Sequence, residues 1–254
     1  AFYDCTGLTE INFNATNMSD LSDNNYVFSY AGNGSTGIEV NIGANVTRIP
    51  ANLFSPSGPS YSPKIVSVNF EEGSQCTEIG NNAFDNCSNL TSITIPSSVT
   101  SIGSYAFRDC SSLTTVTFGE NSQLTSIGDY AFQVCGNLTT VTFGENSQLT
   151  SIGNLAFYGC SSLKSITIPE NVTSIGERAF YNCTGLTEIN FNATNMSDLS
   201  SYNHIFSYAG NGSTGIEVNT GANVTRIPAY LFSPGGSSFS PKIVSVNFEE
   251  GSQC

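Results

Sequence analysis

Hydrophobic and polar residues alternate in short segments that recur along the chain. In LTTVTF (residues 113–118), Val116 and Phe118 alternate with Thr115 and Thr117, so one face of a short strand is apolar and the other polar. The same pattern recurs at Leu90/Ile93/Ile95, Leu138/Val141/Phe143, Leu163/Ile166/Ile168 and Leu186/Ile189/Phe191. Each segment leads into a turn such as IPSSV or FGENSQL, where Pro or Gly favours a change of direction. The pattern predicts one short strand in each repeat.

A second apolar group follows each turn. In residues 127–132 it has the sequence IGDYAF, which is too short for an ordinary amphipathic helix and predicts a helical or 3₁₀ turn. We expect Ala131 to let adjacent coils approach and Phe132 to fill the space between strand and turn. The phenylalanines in this position are Phe2, Phe28, Phe54, Phe84, Phe107, Phe132, Phe157, Phe180, Phe206 and Phe232.

The spacing of these anchoring phenylalanines defines a repeat of 23–30 residues. A period of this length is typical of a solenoid, in which each repeat buries its apolar side against its neighbours. The sequence therefore predicts an α/β solenoid of about ten coils. Each coil should contribute one short parallel strand and one short helical or 3₁₀ turn.

A longer repeat encloses the short one. Residues 1–76 and 179–254 align without a gap at an offset of 178, and 66 of the 76 positions are identical. We therefore predict one continuous solenoid over 1–254, in which 1–178 is a unit of seven repeats and 179–254 begins the next copy. Because both copies start and stop within a motif, we also expect the unit to continue beyond both ends.

The short repeat resembles a known family. The string L-T-S-I-G-x-x-A-F-x-x-C-x-x-L resembles the BspA-like leucine-rich repeats of bacterial and microbial eukaryotic surface proteins, and it is carried here by Ile102-Gly103, Ala106-Phe107, Cys110, Leu113 and Val116. The resemblance is specific over 77–191. It is weaker in 1–76, where Tyr26-Val27-Phe28 and Asn52-Leu53-Phe54 replace x-A-F. It implies a right-handed solenoid with one parallel sheet and an extracellular role in adhesion or surface structure.

Six cysteines share one position, three residues after an anchoring phenylalanine: Cys5, Cys87, Cys110, Cys135, Cys160 and Cys183. In stacked coils they form a column with neighbours about 4.8 Å apart, where parallel side-chain directions suit a disulfide poorly. We predict a structural column of buried free thiols, since a free cysteine behaves as a small hydrophobic residue. The even total of eight cysteines keeps disulfide bridges open as the alternative.

Composition and charge limit the possible functions. The chain has 7 Lys and Arg against 20 Asp and Glu, a net charge of −13, so nucleic acid and anionic membranes are poor partners. No C-x-x-C motif occurs and His204 is the single histidine, which argues against a metal site. No nucleophile elbow or phosphate-binding loop is present. We expect no enzyme activity, no cofactor and no direct membrane insertion.

Thirteen N-x-(S/T) sequons predict N-linked glycans on an extracellular or cell-surface chain. The best candidate acceptors lie in the irregular loops and are Asn14, Asn17, Asn33, Asn192, Asn195 and Asn211. Asn86 and Asn182 flank a cysteine of the column, so we expect poor access there. The alternative is that asparagine simply provides turns.

Two surfaces are candidates for ligand binding. Thr115, Thr117, Thr140 and Thr142 form two outward columns on the predicted sheet, an arrangement also used by ice-binding solenoids. Threonine is, however, common on any exposed strand, and Glu188 and Asn190 interrupt the columns. The loops 14–37 and 55–63 are the other candidates, because they carry Tyr26, Tyr30 and Tyr61.

Three functions remain from these observations, and the third, after the two that follow, is binding of ice or carbohydrate by the sheet face. The near-identity of distant copies favours a structural protein, a glycosylated building block of a fibre, stalk or surface layer whose partners are other copies stacked end to end. The alternative is an adhesin that binds a host or matrix ligand through its loops or sheet face.

Overall fold

The computed structural model describes residues 1–23, 25–55, 61–144, 146–233 and 239–250. Over these residues the chain folds into a parallel-strand solenoid of about eight turns. The expected number of about ten coils is not confirmed. No α-helix lies among the described residues, so the predicted α/β class is not confirmed either.

Two kinds of strand build the solenoid, longer ones of three to six residues and short ones of two. In chain order they are β1 (Glu10–Phe13), β2 (Ile38–Ile42), β3 (Arg48–Ile49), β4 (Ile65–Phe70), β5 (Glu78–Ile79), β6 (Ser92–Ile95), β7 (Ser101–Ile102), β8 (Thr115–Phe118), β9 (Ser126–Ile127), β10 (Thr140–Thr142), β11 (Ser151–Ile152), β12 (Ser165–Ile168), β13 (Ser174–Ile175), β14 (Glu188–Phe191), β15 (Ile216–Thr220) and β16 (Ile243–Phe248). The predicted strand of each repeat corresponds to a longer strand. The short strands were not predicted.

The core is a set of columns in which equivalent side chains lie directly above one another. Val116 pairs in register with Ile93 on one side and Val141 on the other, and all three are buried. The anchoring phenylalanines stack in the same way, with ring centroids 5.2 Å apart from Phe84 to Phe107 and from Phe107 to Phe132. Each coil therefore covers the apolar surface of the next.

The segment predicted as a helical turn forms a second kind of ladder instead. Asn82, Phe84 and Asn86 donate their backbone N–H groups to the carbonyls of Ser104, Ala106 and Arg108 in the next coil. The intervening residues make hydrogen bonds within their own coil. Ala83, for example, donates its backbone N–H to the carbonyl of Gly80. A helix would direct every N–H along its own axis. The predicted helical or 3₁₀ turn is not confirmed, because half of these donors bond to the neighbouring coil.

A column of glycines allows the coils to approach at the corner before this ladder. A Cβ atom on Gly128 would lie 2.6 Å from the backbone nitrogen of Ser104, and one on Gly176 would lie 2.4 Å from that of Asn154. Such distances are shorter than any ordinary contact, so the Ile-Gly step of the repeat is a steric requirement. Ala131 also faces the interior and is fully buried.

The short strands form one sheet of six members, whereas the longer strands form three separate sheets. Hydrogen-bonded pairing among the longer strands is absent between β4 and β6 and between β10 and β12. These gaps follow from turn length. Phe70 to Cys76 and Phe143 to Leu149 are six-residue steps between side chains that pack in the core, and each is followed in the next coil by a four-residue step, Ile95 to Val99 or Ile168 to Val172.

Neighbouring longer strands stay hydrogen-bonded wherever the turn between core side chains does not shorten from six residues to four in the next coil. β8 and β10 both precede six-residue steps and pair in register, and β12 and β14 also pair although the step lengthens from four residues to five. A longer turn displaces the end of its strand, and a tighter coil placed after it cannot follow that displacement. The sheet opens at these two places.

The 178-residue repeat is repeated in three dimensions. The bounds of β1, β2 and β4 recur in β14, β15 and β16 at an offset of 178 residues. Even the register irregularity is repeated, between Ile38 and Glu39 in one copy and between Ile216 and Glu217 in the other.

Candidate functional surfaces

The cysteines form a buried column held by hydrogen bonds. Cys110, Cys135 and Cys160 donate their thiols to the carbonyl oxygens of Phe84, Phe107 and Phe132, with sulfur–oxygen distances of 3.3, 3.1 and 3.2 Å. Cys183 makes the same contact with Phe157 O at 3.2 Å. Each thiol therefore bonds to the coil before it, and every cysteine in the described part of the chain is free.

Burial keeps these thiols protonated. It raises the pKa of Cys110, Cys135 and Cys160 well above the ordinary value and that of Cys183 to about 12. A thiolate is the reactive form of cysteine, so the column has a packing role and no chemical one. Cys5 belongs to the same position of the repeat but is exposed, and Cys254 lies outside the described residues.

The outer face of the longer strands is polar throughout. Thr140 and Thr142 pair in register with Thr115 and Thr117, so the predicted columns exist in this part of the sheet. Thr140 and Thr142 are exposed, and Thr115 and Thr117 are half-buried.

Asparagine replaces threonine towards both ends of this face. Asn41 donates to Asn12 Oδ1 at 3.1 Å, and Asn69 donates to Asn41 Oδ1 at 3.2 Å. The second copy repeats the ladder, with Asn219 donating to Asn190 at 3.0 Å and Asn247 to Asn219 at 2.9 Å. The sequence analysis missed these ladders, although the E-x-N pattern at Glu10–Asn12 and Glu188–Asn190 signals them.

The candidate glycosylation sites lie mostly at the surface. Asn14, Asn17, Asn33, Asn195 and Asn211 are exposed, whereas Asn192 is half-buried. Asn86 is buried and Asn182 half-buried. The geometry leaves room for a glycan at five of the six candidates.

Four tyrosines cluster on the surface of the first copy. The ring of Tyr61 contacts those of Tyr26 and Tyr30 edge to face, at centroid distances of 6.1 and 5.2 Å. Tyr30 contacts Tyr3 at 5.8 Å. The second copy has His204 and Phe239 where the first has Tyr26 and Tyr61, so two of the ten differences between the copies fall in this cluster.

Both gaps in the strand pairing open into grooves. The β4–β6 groove is lined by residues of those strands and of the turns after them, among them Ser67, Asn69, Ser92 and Thr94, and encloses about 470 Å³. The β10–β12 groove encloses about 960 Å³ and extends further, because its lining also includes Glu120, Asn192, Asn223 and Glu249 from the turns after β8, β14, β15 and β16. Neither groove was predicted from the sequence, although the difference in length between successive turns marks their positions.

Other kinds of site find no support in the part of the chain that the structure describes. No three His, Cys, Asp or Glu side chains come together in a group suited to a metal ion there. The same residues include no helix of the length and apolar character needed to cross a membrane.

Comparison with known proteins identifies the repeat. The model of the BspA type leucine-rich repeat region matches residues 1–61, 77–211 and 122–237, in six copies. A leucine-rich cell surface protein from Faecalibacterium prausnitzii is similar in structure, with a TM-score of 0.60 and 26% identity over 94% of this chain and 70% of the other. No curated protein matches significantly.

A second solved structure supports the same fold. The leucine-rich repeat protein TpLRR of T. pallidum has a TM-score of 0.54 and 26% identity, over 70% of this chain and 77% of its own. The family match covers well over half of the chain, including the column cysteines and both copies of the long repeat. The chain belongs to the BspA-type leucine-rich repeat family.

Proposed function

We propose that this chain is a section of a structural rod on the outside of a cell, built by stacking 178-residue units. The observation that carries the proposal is the recurrence of β1, β2 and β4 as β14, β15 and β16, with the same bounds and register irregularity. A specific binding site usually differs between copies, whereas a rod repeats the same element. The F. prausnitzii protein, which is similar in structure, is a leucine-rich cell surface protein, and this supports a position on the outside of a cell.

Burial of equivalent residues supports stacking as the source of stability. Phe2 is 46% exposed in the first coil, but Phe180, its counterpart in the second copy, is fully buried under the preceding coil. Val246 is 42% exposed, but its counterpart Val68 is only 6% exposed. The same side chains are therefore covered when a coil lies on each side of them, as they would be throughout a longer rod.

Extension of the chain tests the proposal. A longer protein, in which residues 77–178 are appended after Cys254, should bury Val246 and slow hydrogen exchange in β16. A control protein of equal length, in which the appended residues are scrambled, should leave the hydrogen exchange of β16 unchanged. Equal exchange in the two proteins would contradict stacking by a repeated unit.

Glycans on the exposed sequons form part of this proposal. The low charge of the chain, 11% Asp, Glu, Lys and Arg, leaves solubility to polar side chains and to sugars. Material from the native source should lose mass on treatment with a peptide N-glycosidase, with new aspartates at Asn14, Asn17, Asn33, Asn195 or Asn211. An unchanged mass would show that the protein carries no N-linked glycans.

An adhesin is the second candidate, and the tyrosine cluster favours it. Tyrosine supplies rigid amphipathic contact area at interfaces, and Tyr3, Tyr26 and Tyr61 are all at least 36% exposed. Replacement of Tyr26 and Tyr61 by serine should abolish attachment of protein-coated beads to host cells. Replacement of Tyr202, which is 77% exposed and outside the cluster, is the control, and an equal effect of both variants would exclude this surface.

A further inference from the structure

We propose that the β10–β12 groove binds a neutral polysaccharide chain. The groove opens where the six-residue turn after β10 meets the four-residue turn after β12, and it continues along the turns after β14, β15 and β16. Its volume, about 960 Å³, is at the upper end of the range usual for small-molecule sites. The proposal goes beyond the rod, which would exist with or without a ligand.

The lining has the chemistry that sugar hydroxyls require. Thr142, Ser165 and Thr167 supply hydroxyl groups, and Asn192 and Asn223 supply amides. Hydroxyl and amide groups both donate and accept hydrogen bonds, as do the hydroxyls of a sugar. The carboxylates of Glu120, Glu170 and Glu249 add acceptors along the rim.

Several of these groups are not used by the protein itself. Within the described residues, the side chains of Thr142, Ser165, Thr167 and Glu170 make no hydrogen bond or ion pair, in contrast to the asparagine ladders on the same face. Strand pairing is also absent between β10 and β12. A ligand in the groove would therefore find donors and acceptors that no internal contact occupies.

Charge selects a neutral ligand over an anionic one. The described lining of the β10–β12 groove includes no Lys, Arg or His, and the chain carries a net charge of −13. Acidic polysaccharides and nucleic acids would be repelled from such a surface. A cationic peptide would be attracted by the carboxylates, but the uncharged hydroxyls and amides that make up most of the lining would give it little specificity.

The second groove favours a polymer over a single sugar. The β4–β6 groove shares the polar lining and the absence of basic residues among its described members. Three strand spacings separate the two gaps, which corresponds to roughly 14 Å at about 4.8 Å for each coil. One polysaccharide chain lying along the solenoid could enter both grooves, and the second contact would then be intramolecular.

Titration calorimetry with defined oligosaccharides tests the proposal. The probes are cellohexaose, chitohexaose and mannohexaose, with hexagalacturonate as the anionic probe and hexalysine as the cationic probe. We expect at least one neutral hexasaccharide to bind and both charged probes to fail. The double variant Thr142→Val and Thr167→Val should weaken that binding at least tenfold, because valine keeps the shape and removes the hydroxyls.

The matched control is the double variant Thr115→Val and Thr117→Val. These residues occupy the same columns in β8, where the sheet is continuous, and neither is part of the grooves. It should bind the sugar within twofold of the unmodified protein, and both variants should melt as the parent does. Failure of all three neutral probes at millimolar concentration, binding of a charged probe alone, or equal loss in the two variants would overturn the proposal.

Discussion

Individual residues carry an unusual backbone conformation in each coil. Where the structure describes it, the residue two positions after an anchoring phenylalanine has a positive φ, for example Asn86 at 59°, Asp109 at 56°, Gly159 at 73° and Asn182 at 60°. Asparagine, aspartate and glycine tolerate this region, whereas a β-branched residue is strained there. Val134 occupies the same position with a φ of 59°. Tyr30 and Tyr208 also have a positive φ at this position, and Val134 is the one β-branched residue there among the described coils.

Replacement of Val134 by asparagine should stabilise the protein by about 1 kcal/mol, because it relieves left-handed strain and Val134 is 42% exposed, so little burial is lost. Urea unfolding monitored by circular dichroism would measure the change. The reciprocal variant Gly159→Val should destabilise by a similar amount, since the nearest atom to its Cβ would be 3.8 Å away and only the backbone would be strained. If Val134→Asn instead destabilises the protein, the packing of the valine side chain contributes more to stability than its backbone strain costs.

At the level of elements, the sequence predicts strands well and the connecting ladder poorly. The alternation around Val116 shows which side of β8 is buried, because in a half-buried strand every second residue faces the core and the apolar residues identify that face. The segment around Ala131 and Phe132 is apolar in a way that suits a helical turn equally well. Its hydrogen bonds run to another coil some 25 residues away, and no local pattern reveals a partner at that distance.

The candidate surfaces show the same division. Repetition at a fixed position predicts the cysteine column and the threonine columns, and the structure places both in register. The grooves depend on the difference between two successive turn lengths, Phe143 to Leu149 and Ile168 to Val172. A pattern averaged over repeats hides that difference.

Turn length can be changed to test its effect on the sheet. Replacement of residues 168–172 (IPENV) by FGENSQL, the sequence of 118–124, should let β12 pair with β10 as β10 pairs with β8. Amide exchange of Ser165 and Thr167, which face β10, should then slow. Replacement of 168–172 by IPSSV, the sequence of 95–99, keeps the four-residue step and is the control. Unchanged exchange in the longer variant would mean that something other than turn length separates the strands.

The cysteine column makes stability sensitive to high pH. Burial raises the folded-state pKa of Cys183 from its ordinary value of about 9 to about 12. A raised folded-state pKa gives stability that is complete below the unfolded-state value and is lost as the pH rises from about 9 to about 12. At pH 10 each buried thiol should lower the free energy of unfolding by about 1 kcal/mol.

Urea unfolding at pH 7.5 and pH 10, under reducing conditions without oxygen, would measure that loss. A triple variant with alanine at Cys110, Cys135 and Cys160 should lose less stability than the parent between the two pH values, by about 1 kcal/mol for each thiol removed. Alanine is a suitable replacement because Ala31 and Ala209 are fully buried at the equivalent position of other coils. An equal loss in the variant and the parent would show that other groups control alkaline unfolding.

The whole molecule is governed by coil stacking. Phenylalanine, cysteine and glycine columns each link a coil to the coils on either side, and no interaction of this kind depends on total length. Stability and shape should then follow from the number of coils. Near-identical copies 178 residues apart add coils with the same strand bounds and the same register irregularity.

The most direct test of a uniform rod is its length as units are added. Seven strand spacings of about 4.8 Å correspond to roughly 34 Å for each 178-residue unit. Proteins with one, two and three consecutive copies of residues 1–178 should therefore increase in maximum dimension by about 34 Å for each unit in small-angle X-ray scattering, at a constant cross-section. A cross-section that grows with copy number, or a length that does not increase in equal steps, would contradict the rod.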